Sequence, residues 1–439
     1  MVSYRDSQYD TNTKLDRIAW LSKQEPSREF ACLMHLFNEV SLFECFYELK
    51  SKKALGTDGV SKDDYGQELS SNLRKLIERM KRMAYRPSPV REVLIPKEGK
   101  PGATRPLGIN NFEDKLVQKM MQKVLNSIYE PLFVECSFGF RPGRSCHDAI
   151  RALRNHLLKS RVRIVIDVDL KNFFGTIKHS LLLEILKKKL KDQRLIRYIS
   201  RMFKAGILSD GELTMSEEGV PQGSICSPIL ANIFAHYVID NWFEETVKEH
   251  CYGGAELFRY ADDLVICCEF ERDARRISKA LKGRLGKYDL GLNEEKTKEV
   301  SFDKEAFKRK EKQGSFDFLG FTFYLANSNS GYVVPKVKTS GTRLRSKLKR
   351  MNEWCKSVRN KERQRAIWET FKTKLEGHIR YYGVTFNYRC VGSFVYHSRK
   401  LMFKHLNRRS QRRSCNWFEF ERYEKLFPLP KVKTYHKLF

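Results

Sequence analysis

Two hydrophobic periods alternate along this 439-residue chain. Leu21, Phe30, Leu33, Leu36 and Phe37 recur near helical spacing, so residues 1 to about 50 read as helix. The turn-rich ALGTDGVS (54–61) interrupts it, and LSSNLRKLIERMKRM resumes a helix with Ser70 or Ser71 placed to cap it. In SPVREVLIPKEGKPGATRPLGI (88–109), short apolar alternations flank a basic loop rich in proline and glycine, the pattern of a hairpin. A helix is predicted over about 113–129, ended by Pro131. RVRIVIDVDLKNFF opens as a strand with Ile164, Ile166 and Val168 on one face and Val165 and Asp167 on the other, then hands over to the helix HSLLLEILKKKL. Another long helix starts near Ser227-Pro228, where proline suits a first turn. FRYADDLVICC (258–268) sets two aspartates before an apolar run that reads as a buried strand, as at the tight end of a hairpin. The helix ERDARRISKALKGRLGKYD and short strands in GLNEEKTKEVSF and FDFLGFTFY follow. From about 336 the pattern is helical. This order of elements predicts an α+β fold.

Composition adds a partner. With 41% apolar and 12% aromatic residues the chain can bury more than one core, and two or three domains are expected. The formal net charge is +30, and residues 336–439 carry 28 Lys and Arg against 7 Asp and Glu, a net +21. Tyr381, Tyr382, Phe386, Tyr388, Trp417 and Phe418 are interleaved with that charge, which suits nucleic acid better than an anionic membrane or a merely solvated face. Eleven cysteines lie without a CxxC pair, so reduced thiols are expected in place of disulfides or zinc. The N-terminus lacks an apolar signal core, and no run of uncharged apolar residues is long enough to span a bilayer, so a cytosolic protein is expected.

Asp262 and Asp263 raise the chemical question. A buried carboxylate costs several kcal/mol unless something compensates it, and a lone acidic pair usually caps a turn. Asp169, at the end of another β-rich segment, changes the reading if the two elements are neighbours. Three carboxylates make an all-oxygen site suited to Mg²⁺, and two such ions about 4 Å apart support in-line displacement at phosphorus. That is polymerase or nuclease chemistry. The sequence carries no competing Ser-His-Asp, zinc or P-loop signature.

YADD, DVDLKNFF, VPQGSICSPILANI, RPLGI with DKLVQ, SFGFRPGRSCHDA, GLNEEKTK and FLGF, taken together and in order, resemble the successive motifs of a group II intron-encoded reverse transcriptase, or maturase, over about 40–439. The resemblance implies a right-hand fold: a helical extension (1–50), fingers and palm (51–335), an α-helical thumb or X domain (336–405) and a basic DNA-binding region (406–439). It makes Asp169, Asp262 and Asp263 the catalytic metal ligands for two Mg²⁺ ions, with the Leu170 carbonyl as a further ligand and Mn²⁺ as a substitute. It assigns Lys97 and Arg105 to the triphosphate, Gln222 to nucleotide and template, and Phe174, with Phe173 second, to the sugar, where an aromatic side chain excludes a 2′-hydroxyl. Tyr260 and Ala261 then floor the primer end, Leu319, Gly320 and Phe321 support it, and Lys296 meets a phosphate. Implied partners are dNTPs, an RNA template with a DNA primer, group II intron RNA and target DNA, with no membrane, in the nucleoid-associated cytoplasm of a bacterium. The chain ends without a Cys/His-rich nuclease domain, so cutting of target DNA is not expected. Two alternatives share these residues: a maturase that folds RNA without polymerising, and a reverse transcriptase recruited to host defence or repair. One departure stands out. Relatives usually read FFD after the first catalytic aspartate, whereas this chain has Phe173-Phe174-Gly175; Asp167 is a partial replacement. Ser224, where glycine commonly follows PQG, is a milder change.

Overall fold

The computed structural model describes residues 4–96, 104–209, 211–220, 223–409 and 416–439. Among them are twelve strands: β1 (Val90–Pro96), β2 (Thr104–Ile109), β3 (Ile164–Lys171), β4 (Ile207–Ser209), β5 (Glu212–Thr214), β6 (Ala255–Tyr260), β7 (Asp263–Cys268), β8 (Gly291–Leu292), β9 (Lys298–Ser301), β10 (Ser315–Phe318), β11 (Phe321–Asn327) and β12 (Val333–Thr339). They form three sheets. β6, β7, β3 and β8 run in that order with β9 also on β3, β2-β1-β4-β5 make a four-stranded sheet, and β10-β11-β12 an antiparallel meander.

Strand alternation explains how the central sheet is held. Ile166, Val168 and Leu170 of β3 and Leu264, Ile266 and Cys268 of β7 turn to one face and enter the largest core. Val165, Val265 and Cys267 turn to the other and join a second core with the aromatic residues of the β10–β12 sheet and the helix Cys146–Lys159. β3 is therefore buried on both sides, as its near-continuous apolar run requires. Cys267 and Cys268 are buried free thiols. A third core is made by the basic helices Gly341–Val358, Gln364–Tyr382, Tyr388–Leu406 and Trp417–Leu426. Among the described residues no helix is long and apolar enough to cross a membrane.

Several expectations change. The first fifty residues form two α-helices, Tyr4–Gln24 and Glu39–Glu48. Pro26 bars continuation, because its ring removes an N–H and pushes the preceding residue out of the helical region. Both helices contribute to the same core as the helix Phe112–Tyr129, so they are built into the body of the fold. Neither Ser70 nor Ser71 caps the helix Leu69–Lys81, whose N-cap is Glu68 without a side-chain bond. The capping box lies earlier, where Ser61 and Asp64 open the short helix Lys62–Gln67. Strand β12 precedes the C-terminal helices, so the purely helical reading from 336 holds only after Thr339. The helix Ser227–Ala235, with Pro228 in its first turn, continues through two π-helical segments, His236–Asp240 and Phe243–Val247.

Candidate active site

β6 and β7 pair antiparallel as far as Tyr260 and Asp263, leaving Ala261 and Asp262 as a two-residue turn. Turns of this length match strand twist when the first central residue has positive φ, and Ala261 has φ 58°. β3 lies on the other side of β7 in a register that sets Asp169 opposite Asp263. The hairpin tip and the end of β3 thus bring Asp169, Asp262 and Asp263 together. Like charges facing each other across a ladder are destabilising, and the carboxyl groups register it. Asp263 is open to solvent at its tip, yet protein surrounds it on most sides; this desolvation, with Asp262 and Asp169 beside it, raises its pKa to about 6. Asp262 is also raised, by burial first and by Asp169, against the opposing charge of Arg105. Behind them Asp167 shares the face of Asp169, and burial plus Asp263, Asp317 and Asp169 push its pKa up to about 7.

The turn after β8 wraps the end of β3. Asn293 donates its N–H to the Asp169 carbonyl at 2.8 Å, and the Asp169 N–H reaches Thr297 Oγ1 at 3.3 Å. Lys296, expected at a phosphate, rests its Nζ 2.8 Å from Asp169 Oδ2. Leu170 pairs with Leu292 and buries its side chain. Among the described residues no three His, Cys, Asp or Glu side chains form a ready-made metal cluster. The donor set nevertheless fits a hard divalent ion: it offers oxygen alone, and two of its carboxyls are held partly against ionisation by burial and by each other, a penalty a cation relieves.

The other expected residues are distributed around this tip. Arg105, exposed on β2, acts on Asp262 through its charge. Lys97 and Gln222 lie outside the described residues. Gly223, beside Gln222, has φ 108° and packs so closely on Gly108 of β2 that a Cβ would collide with the Gly108 carbonyl. Ser224, where the resemblance leads one to expect glycine, is buried and donates to Gln118 Oε1 at 2.9 Å, so its hydroxyl has a specific partner. Phe173 and Phe174 are both buried, and the Phe174 carbonyl accepts from Val220 N at 2.8 Å. Leu319 (φ 51°) and Gly320 (φ 81°) make the turn between β10 and β11, held by Tyr381 Oη on the Leu319 carbonyl at 2.9 Å. Phe321, expected beside the primer end, is fully buried under this turn, and Leu319 and Gly320 are the more open residues of the three.

Three further residues belong to this region. Phe140 is 51% exposed at φ 57° and stands between the rings of Phe174 (6.4 Å) and Tyr260 (6.3 Å); an aromatic residue in that backbone region is unusual and such outliers gather at functional sites. Arg343 lowers the Asp263 pKa through its charge. Arg259 is buried in a salt bridge with Asp240. A cation between Phe258 and Tyr260, directly before ADD, was the available sequence signal for Arg259, since burial there demands a partner.

Parts of this chain are similar to known proteins. The family model "Reverse transcriptase (RNA-dependent DNA polymerase)" matches residues 95–323. Group II intron-encoded protein LtrA of Lactococcus lactis is 34% identical over 223 residues, 51% of this chain and 37% of the relative. An uncharacterized 91 kDa protein in a cob intron of Schizosaccharomyces pombe is 36% identical over 244 residues, 55% of this chain and 30% of the relative. Protein YkfC of Escherichia coli is 33% identical over 273 residues, 55% of this chain and 71% of the relative. The match thus spans about a third of the first two relatives.

Proposed function

Because the chain belongs to the reverse transcriptase family, in its group II intron-encoded branch, we propose that it copies RNA into DNA by extending a primer with dNTPs. One observation carries the reading above all: Asp169 and Asp263 face each other across adjacent strands with Asp262 in the turn beside them. Asp169, Asp262 and Asp263, with the Leu170 carbonyl, are the groups that would hold Mg²⁺, or Mn²⁺ in its place. Such ions would supply activation of the attacking hydroxyl and neutralise charge on the departing pyrophosphate.

The rest is work for the chain's own residues. Lys97 and Arg105 grip the triphosphate by charge-assisted hydrogen bonds. Gln222 borders the nucleotide, and Phe174 fills the volume that a 2′-hydroxyl would need. Tyr260 and Ala261 underlie the primer end and the Leu319–Gly320 turn seats it, which brings its 3′-hydroxyl to the α-phosphate as a near-attack pair. Lys296 offers a further cation to a substrate phosphate. On this reading the central sheet is the palm, the four-stranded sheet and its helices the fingers, residues 336–405 the thumb, and 406–439 a DNA-binding region. The net +21 of residues 336–439 supports a long contact with intron RNA and with target DNA, since phosphate contacts supply affinity without sequence. The protein assists intron splicing and mobility in the bacterial cytoplasm, at the nucleoid.

Primer extension on an RNA template with Mg²⁺ and dNTPs tests the proposal. Wild type makes cDNA and Asp262→Asn makes at least a hundredfold less; a wild type that makes none, or a variant that makes as much, contradicts it.

A further inference from the structure

We infer that Arg259 is a positioning residue that sets the Ala261–Asp262 turn and through it the aim of the acid pair. For its consequence in catalysis the inference rests on the polymerase reading above; for its consequence in the turn itself it stands on geometry alone.

Along β6 side chains alternate, so Arg259 points to the face opposite Tyr260 and Asp263. There it is fully buried, which a guanidinium tolerates only when paired and hydrogen-bonded. Each of the five N–H donors of a guanidinium has an acceptor. Nε reaches Asp240 Oδ1 at 2.6 Å and Nη2 reaches Asp240 Oδ2 at 2.5 Å, a bidentate fork with a carboxylate that is itself fully buried. The second Nη2 hydrogen goes to Ser137 Oγ at 2.7 Å, and Nη1 is shared between Asn232 Oδ1 at 3.1 Å and the Ala261 carbonyl at 3.2 Å.

The last of these contacts ties the fork to the active-site turn. Ala261 has φ 58°, a conformation that a residue with a Cβ adopts only at a cost. Its carbonyl belongs to the peptide that leads into Asp262, so a donor fixed from below decides how that peptide is tilted. A second brace comes from the side. Asn232 Nδ2 donates to the Gly139 carbonyl at 2.6 Å, and Gly139 sits so close to the Ala261 nitrogen that a Cβ there would collide with it. Phe138 N to Arg259 O (2.9 Å) and Arg259 N to Cys136 O (2.8 Å) add the strand-like contact that holds this brace in place. Asp240 closes the π-helical segment His236–Asp240; such widened turns commonly mark functional positions. Ser137 and Gly139 belong to one segment and Asn232 and Asp240 to another, with 93 positions between Gly139 and Asn232, and Arg259 or Asn232 touches each of them. A lysine would keep a charge near Asp240 but lacks the planar fork that reaches Asn232 and Ala261 together.

Two readouts test the inference. In Arg259→Lys, amide hydrogen exchange measured on the metal-free protein should quicken at least tenfold over 258–264 while the three hydrophobic cores keep their protection. In primer extension kcat should fall at least tenfold with the dNTP KM within twofold of wild type. Asn232→Ala, which leaves the Arg259–Asp240 pair intact, should shift both in the same direction by a smaller factor, and serves if the lysine variant does not fold. Exchange over 258–264 within twofold of wild type in a folded variant overturns the positioning role, whatever the activity. If exchange responds as expected but wild type makes no cDNA, the polymerase reading fails and the structural role of Arg259 stands.

Discussion

Gly175 stands where the sequence resemblance leads one to expect an aspartate, and the residues around it are closely packed. Asn172 adopts a left-handed conformation, φ 48° and ψ 43°, and its amide fills the space where a side chain at 175 would begin, so that a Cβ on Gly175 would collide with it. Gly219 packs on the other side, where its own Cβ would lie 3.2 Å from the Gly175 carbonyl oxygen. This close approach lets Gly219 N bond Ile177 O at 2.9 Å and Val220 N bond Phe174 O at 2.8 Å, two residues before Gln222. The glycine is therefore exchanged for tight packing between the segment after Asp169 and the segment that leads into the PQG motif. An aspartate at this position should harm the protein. Gly175→Asp is expected to lower thermal stability by about 1–3 kcal/mol, the usual range for overpacking, and to reduce primer extension severalfold; adding Asn172→Gly should recover part of both. A single variant that is as stable as wild type and more active would falsify this account of the site.

At the level of elements, the helix Phe112–Tyr129 links the sheet of β1 and β2 to the motif around Ser224, because Gln118 in its second turn accepts from Ser224 Oγ and Ile225 N. Its start is pinned by a buried acid. Asp114 Oδ1 accepts from Tyr85 Oη at 2.5 Å and Oδ2 from Ser88 N at 3.1 Å. Burial outweighs those bonds and raises the Asp114 pKa from 3.8 to about 6. With the folded pKa above the unfolded one, the unfolded state loses its proton first as pH rises, so the folded state is progressively penalised between about pH 4 and 6 and the penalty is constant above that. Asp114→Asn should accordingly gain on wild type in melting temperature from pH 4 to 6, and the difference should then stay level; a gap that is flat or narrows across this window contradicts the assignment. The two-faced strand β3, the hairpin with its acids at the turn and the helix after Asn111 were legible in the sequence because alternation, turn length and helical period are local signals. The break at Pro26 was legible in principle, whereas the π-helical turns after Ala235 carry no local signature, and Ser61 could not be told from Ser70 or Ser71 as a cap without knowing which helix begins first.

Across the whole molecule, three cores are assembled so that the acidic hairpin tip meets Arg105 from β2 and Arg343 from the first basic C-terminal helix, each of which acts on one of its aspartates. Motif order allowed the acids to be grouped in advance, but nothing in the sequence identified the partners in the long-range contacts. The pairing of Lys296 with Asp169, the burial of Phe321 and the hub at Arg259 depend on packing between segments more than a hundred residues apart or on opposite faces of one sheet. The charge of residues 336–439 indicates a polyanion and no more than that, since affinity from phosphates carries no sequence information. On the proposed function, Asp169, Asp262 and Asp263 act together on the reacting phosphate, separately from substrate binding. Single-nucleotide incorporation on a preformed RNA–DNA template-primer, measured with its binding affinity for wild type and Asp263→Asn, tests this most directly. The expected result is incorporation reduced at least a hundredfold with template-primer affinity within threefold of wild type; incorporation within threefold of wild type would contradict it.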